Sequence, residues 1–194
     1  MKNNQRLLFL VEVSMLASLA FLLDLVSGVV GRFWPQGGSI SLAMIPIFIL
    51  SFRWGLKGGL LAGFLLGLLQ VVLGTAFIAH PVQAFIDYFF AFTVVGLSGI
   101  LFKQVQHALV NRKKGTVIAY VVLGTFIGSA LRYLAHVIAG VYFFAEYTPE
   151  GTPIWTYSIV YNGSYMLPTF IVSAIVTALI LITAPRLVTR NKTT

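Results

Sequence analysis

The sequence predicts an all-α integral membrane bundle of six transmembrane helices with both termini in the cytoplasm. Three observations carry that reading. Of the 194 residues, 58% are hydrophobic and only 9% are charged, whereas ordinary soluble domains carry about 25% charged residues. The apolar residues fall in long continuous runs rather than alternating on the period of two that barrel strands require. The basic residues, finally, sit between those runs in a pattern that only an even number of crossings explains. Mean hydropathy is +0.93, and a water-soluble fold so poor in charge could not cover its own surface.

A helix needs roughly 20 apolar residues to cross a bilayer. Six runs approach that length: 7–30, 39–52, 56–73, 82–102, 116–144 and 156–184, forming one membrane domain that spans residues 1–194. The first follows Lys2 and Arg6 and imitates a secretory leader. It is longer than the usual hydrophobic core of one, about 7–15 residues, so it reads as a retained helix. The second is short and contains Pro46, so a kinked or partly re-entrant segment is expected there. In the third, Gly55, Gly59, Gly63 and Gly67 recur every fourth residue and leave one face nearly bare. Such faces let helices approach closely, with packing inside the chain favoured over packing against a partner. The fourth carries Asp87, and the fifth carries Arg132 and His136. The sixth, which carries Asn162, is long enough to tilt, as is the fifth.

Eleven of the 13 Lys and Arg residues flank the termini or the turns after the second and fourth runs. The exceptions are Arg32 in the first opposite-side loop and Arg132 within the fifth run. The positive-inside rule therefore places both termini in the cytoplasm. With no soluble basic domain, the net charge of +8 does not point to nucleic acid. There is no cysteine, so disulfides and thiolate metal sites are excluded.

Counting residues along helices gives depth. At about 1.5 Å per residue, Asp87 lies about 8 Å below the outer end of its run, His136 about 12 Å and Asn162 about 9 Å. Three polar groups on three helices thus share one level, beneath outer loops containing Trp34, Phe77, Tyr147 and Trp155. Charged groups in membrane spans normally face a bundle interior or wet cavity, and convergence at one depth suits a ligand pocket. Each residue also has an ordinary alternative. Asp87 could pair with Arg132, His136 and Asn162 could serve interhelical bonds, and the outer aromatics, with Tyr142, could form an interfacial belt. An acid among aromatic faces favours a flat cation, with Asn162 and His136 adding donors and acceptors for a heterocycle.

The stretch Arg132-Tyr133-x-x-His136, then Ile138-Ala139-Gly140-Val141-Tyr142-Phe143, then Tyr157-Ser158-x-x-Tyr161-Asn162-Gly163-Ser164-Tyr165-Met166-x-Pro168 resembles the thiamine-specific substrate-binding component of energy-coupling-factor transporters, the ThiT or YuaJ-like family. The resemblance extends over essentially the whole chain and includes the Asp87-Tyr88 pair. It implies a plasma-membrane subunit with no cofactor that binds thiamine from outside with high affinity. It further implies delivery with a transmembrane coupling subunit and two ABC-type ATPases. The implied ligand contacts are Asp87, Tyr88, His136, Tyr157 and Asn162, with Trp34 on a lid loop. The family commonly has Glu at Asp87, and Phe144 and Phe77 replace a stacking tryptophan and a tyrosine. On the first helix the family docks its coupling subunit through an alanine-x-x-x-alanine surface, which Ser14 and Ser18 occupy here beside Ala17.

No Gly-x-x-x-x-Gly-Lys-Ser/Thr phosphate loop is present, so ATP hydrolysis belongs to a partner. Two other classes remain as alternatives: a stand-alone secondary transporter of a cationic heteroaromatic compound, and an intramembrane hydrolase using Asp87 and His136. The second lacks another acid at that level and any His-x-x-x-His or paired-Glu metal motif.

Overall fold

The computed structural model describes residues 2–30 and 38–189. Six helices account for most of them: α1 (Lys2–Val30), α2 (Met44–Trp54), α3 (Leu56–Val72), α4 (Pro81–Val110), α5 (Lys114–Phe143) and α6 (Ile154–Thr183). Four of these, α1, α4, α5 and α6, are long and apolar enough to cross a membrane. The molecule is thus an all-α bundle of the multi-pass membrane type.

The shortest helix is the most enclosed. Every residue of α2 from Met44 to Phe52 is buried. At 11 residues it spans only about 16 Å, too little for a hydrocarbon core of about 30 Å. The run expected at 39–52 is therefore helical only from Met44. Its first part is irregular backbone, which membranes tolerate where protein encloses it. The Ser41 amide donates to Thr169 Oγ1 at 3.2 Å and the Leu42 amide to Ser27 Oγ at 3.0 Å. Pro46 does not kink the helix. It occupies the first turn, where the backbone N–H has no intrahelical acceptor to lose.

The glycines of α3 face α4. A Cβ on Gly59 would lie 2.7 Å from Gly96 Cα, one on Gly63 2.0 Å from the Phe92 carbonyl oxygen, and one on Gly67 2.3 Å from that of Tyr88. Backbone thus meets backbone along the whole interface, and the expected close packing is internal. Gly55 ends α2 with φ +70°, a conformation that favours glycine, and reverses the chain into α3.

Helix α4 departs from regular geometry where it meets that face. Phe85–Phe90 forms a π turn, in which the Ala91 amide reaches back five residues to the Ile86 carbonyl, and Gly96–Leu101 tightens to 3₁₀. Single π turns inside α-helices often mark functional positions, and this one carries Asp87 and Tyr88.

At the opposite end of the bundle, polar side chains tie distant segments together. Arg53 makes a two-pronged ion pair with Glu12 of α1 and donates to the Leu187 carbonyl at 2.9 Å. Trp54 Nε1 donates to Glu12 at 2.6 Å, and Gln106 Nε2 bridges the carbonyls of Phe52 and Val188 at 2.8 and 2.9 Å. The first part of α1, the α2–α3 turn, the end of α4 and the segment after α6 therefore meet at one end.

Candidate binding site

A cavity of about 280 Å³ opens between the helices and is walled by residues from α1 and α3 to α6. Asp87, Tyr88, His136, Tyr157, Asn162, Phe77 and Phe144 all line it. Trp34 falls outside the described residues. The structure thus brings together every described residue that the sequence singled out for a ligand.

At its centre is a chain of hydrogen bonds. Arg132 Nε donates to His136 Nε2 at 3.2 Å, so that nitrogen carries no proton. The proton is on Nδ1, which donates to Asp87 Oδ1 at 2.8 Å. Gln83 Nε2 donates to the other carboxylate oxygen at 2.7 Å. Asp87 and Arg132 are therefore joined through a neutral imidazole rather than by the direct ion pair that their spacing allowed. Gln83, only 1% exposed, is fully committed. Its second N–H is within 3.2 Å of the Phe77 carbonyl, and its Oε1 accepts from the Ala79 and His80 amides at 3.0 and 3.5 Å. The carboxylate is thereby held to the loop that precedes α4.

Tyr88 grips the same loop. Its hydroxyl accepts from the Phe77 amide at 2.7 Å and donates to the Phe77 carbonyl at 3.3 Å. What Tyr88 offers the cavity is consequently its ring rather than its hydroxyl. Adjacent residues on an α-helix diverge by about 100°, and the wider π turn lets Asp87 and Tyr88 share one wall.

Aromatic rings continue the lining as an arc. His136 meets Tyr165 edge-on with centroids 6.3 Å apart, Tyr165 meets Tyr161 at 6.1 Å, and Tyr161 meets Tyr157 at 5.7 Å. A second group, Phe77, Phe144 and Tyr147, forms a rim with successive centroids 6.2 Å apart. Trp155 and Tyr142 lie outside the cavity, 53% and 72% exposed, where the aromatic-belt reading suits them. Asn162 is positioned from both sides. Its Nδ2 donates to the Ser158 carbonyl at 2.9 Å, and its Oδ1 accepts from the Tyr165 hydroxyl. Ser158 in turn donates to the Val137 carbonyl at 2.8 Å and locks α6 to α5.

Sequence reasoning missed part of the wall. Asp24 of α1 lines the cavity, held by Ser41 Oγ at 3.0 Å and Gln70 Nε2 at 2.5 Å. It corrects the expectation of a single acid at this level. The signal was available, since Asp24 lies six residues before the end of α1, about 9 Å by the same helical rise. Gln70 and Tyr161 also lie on the wall; Tyr161 stands in the stretch that carries the family resemblance, whereas nothing in the local sequence marks Gln70. On α1, Ser14 and Ser18 are exposed, whereas Ala17 is 1% exposed. Ala17 therefore packs inward and is not on the free face with the two serines.

Two negative charges, one positive charge and stacked rings suit a flat monocation with hydrogen-bonding edges. Comparisons with known proteins agree with this chemistry. Residues 10–189 match the family described as thiamine transporter protein (Thia_YuaJ). The thiamine transporter ThiT of Bacillus subtilis is 48% identical over 192 residues, covering 99% of this chain and 100% of that protein. The thiamine transporter ThiT of Lacticaseibacillus paracasei is 32% identical over 190 residues, covering 96% and 93%. The solved structure of ThiT from Listeria monocytogenes superposes with a TM-score of 0.88 at 35% identity, covering 96% of this chain and 100% of that one.

Proposed function

The chain belongs to the thiamine transporter protein (Thia_YuaJ) family, and from that premise we infer that it is the thiamine-binding S component of an energy-coupling-factor importer. It is a transport subunit rather than an enzyme, and thiamine is its ligand. The observation that carries the reading is the cavity itself, with Asp87 fixed between Gln83 and His136 beside an arc of tyrosines.

Thiamine is a monocation with two flat rings joined by a methylene. Asp87 supplies a desolvated negative charge, and ring faces add cation–π attraction of up to about 2 kcal/mol where water is excluded. Tyr88, His136, Tyr157, Phe77 and Phe144 provide stacking surfaces. Asn162, clamped by Ser158 and Tyr165, presents a fixed amide edge to the heterocycle. Trp34 is a further ligand contact that the family resemblance implies. Because the donors and acceptors are held by their neighbours before the ligand arrives, little ordering cost remains to be met on binding.

The single domain crosses the membrane six times with both termini cytoplasmic and the cavity facing outward. This arrangement is supported by the gathering of Glu12, Arg53, Gln106 and Leu187 at one end, the same end that carries most of the basic residues. A transmembrane coupling subunit docks on the exposed Ser14 and Ser18 of α1, and two ABC-type ATPases drive transport through it.

Titration of the purified protein with thiamine, followed by tryptophan fluorescence, is expected to saturate with Kd well below 1 µM. No binding at micromolar concentration would overturn the reading. Ser18→Trp is expected to leave thiamine binding within about twofold of wild type but to abolish ATP-driven uptake in reconstituted vesicles, since a bulky ring separates surfaces that pack through small residues. Full uptake by that variant would show that the coupling subunit docks elsewhere, and uptake by the isolated chain without ATP would reveal a secondary transporter.

A further inference from the structure

Helix α1 is the least embedded of the long helices. Within its most apolar stretch 22% of the residues are buried, against 39% in each of α4, α5 and α6. The apolar residues it buries fully, Val13, Ala17 and Ala20, are small, so packing alone does little to fix α1 about its own axis. Two carboxylates fasten it instead. Asp24 is held by Ser41 and Gln70 at the outer end, and Glu12 by Arg53 and Trp54 about 18 Å further along the helix.

The Glu12 carboxylate receives Arg53 Nε, Arg53 Nη2 and Trp54 Nε1. A guanidinium fork on a carboxylate fixes orientation as well as distance. Arg53 also donates to the Leu187 carbonyl beyond α6 at 2.9 Å, and the Trp54 ring meets Phe9 edge-on with centroids 5.1 Å apart. With the Glu12 and Arg53 side chains only 20% and 15% exposed, little water competes with the pair. Successive residues turn by about 100°, so Glu12 stands about 160° from Ser14 and about 120° from Ser18. Holding Glu12 against the bundle therefore turns both serines, which are exposed, away from it. A slip of one residue, about 100°, would put Met15 and Leu19 in their place.

We propose that Glu12 and Arg53 are positioning residues for the docking of the coupling subunit. Their ion pair sets the rotation of α1, so that the small side chains of Ser14 and Ser18 face the partner rather than the large ones of Met15 and Leu19. This rests on the docking reading given above. Helices in membranes pack closely only where small residues meet, so a rotated α1 presents a surface on which the partner cannot seat. The pair lies at the end of the bundle opposite the cavity and acts on the partner, not on thiamine. In Glu12→Gln one carboxylate oxygen becomes an NH₂ facing an Arg53 or Trp54 N–H, donor against donor, and the fork is lost.

Three measurements on full-length Glu12→Gln test this. By calorimetry its thiamine affinity is expected to stay within about twofold of wild type. In vesicles holding the coupling subunit and ATPases, its ATP-driven uptake is expected to fall about tenfold or more, since the small-residue face is no longer aimed at the partner. Because the chain has no cysteine, spin labels can be attached through Leu10→Cys on α1 and Lys57→Cys on α3, both exposed positions. The distance between the labels is expected to be sharply distributed with Glu12 in place and broad in Glu12→Gln. Arg53→Lys keeps the charge but not the fork and is expected to fall between the two in uptake and in label distance. Wild-type uptake by Glu12→Gln, lost uptake with an unchanged label distance, or an equal loss of thiamine affinity would each overturn the positioning role. Full uptake by Ser18→Trp would overturn the docking reading itself, whereas lost uptake in Ser18→Trp beside full uptake in Glu12→Gln would strike the positioning role alone. Arg53→Lys decides the matter if Glu12→Gln does not fold.

Discussion

Asp87→Asn is expected to weaken thiamine binding at least a hundredfold, about 2.7 kcal/mol or more. Two effects add. The substitution removes a buried negative charge facing a cation, and hydrogen bonds to charged groups are each worth about 1.5–3 kcal/mol. It also sets donor against donor. His136 Nδ1 and Gln83 Nε2 aim at opposite carboxylate oxygens, 2.8 and 2.7 Å away, and an asparagine can answer only one of them. The amide NH₂ must confront the other, which loosens either the imidazole or the loop that Gln83 anchors. Calorimetric titration checks the affinity, and thermal unfolding without ligand checks that the variant is folded. A folded Asp87→Asn protein that binds thiamine as tightly as wild type would show that Asp87 is structural.

Gly63→Ala is expected to be the most damaging small substitution in the bundle. The added carbon would sit 2.0 Å from the Phe92 carbonyl oxygen, 2.6 Å from its carbon and 2.9 Å from Thr93 Cα. All three are backbone atoms, so no side chain can swing aside and α3 must move away from α4. Overpacking of this kind costs about 1–3 kcal/mol, which lowers Tm by about 2–12 °C for a chain of this size. Thiamine affinity should fall too, because α4 carries Asp87 and Tyr88 one turn away from the displaced contact. Gly115→Ala, where nothing lies within 4 Å, is the control and is expected to be neutral or slightly stabilising, alanine being the better helix former. Equal unfolding temperatures for the two variants in detergent would refute the close α3–α4 contact.

Much of the architecture was legible because hydropathy is a local property. The runs at 7–30, 82–102, 116–144 and 156–184 each correspond to a helix that begins and ends within a few residues of expectation, except that α4 continues to Val110. The run at 39–52 was legible only in part. Burial inside protein and burial in lipid call for the same apolar residues, so hydropathy could not distinguish a short enclosed helix with an irregular approach from one continuous helix.

The site was legible to the extent that helical rise converts sequence position into depth. That reasoning placed Asp87, His136 and Asn162 at one level, where they share a cavity wall. It would have found Asp24 as well had α1 been counted from its outer end. Gln70 was out of reach, because α3 is too short for its end to mark the same level. The glycine repeat announced a close contact but not its partner, which is the irregular stretch of α4.

By itself, then, the sequence determined the membrane class, the long helices, the bare face of α3 and the depth of three polar groups. Its family resemblance supplied the name of the ligand. Only the tertiary structure decided the π turn under Asp87 and Tyr88, the relay from Arg132 through His136, and the bond from Gln70 to Asp24. Hydropathy and helical rise depend on residues within a few turns of one another. Hydrogen-bond partners such as Asp24 and Gln70, 46 positions apart, exist only once helices distant in sequence have packed.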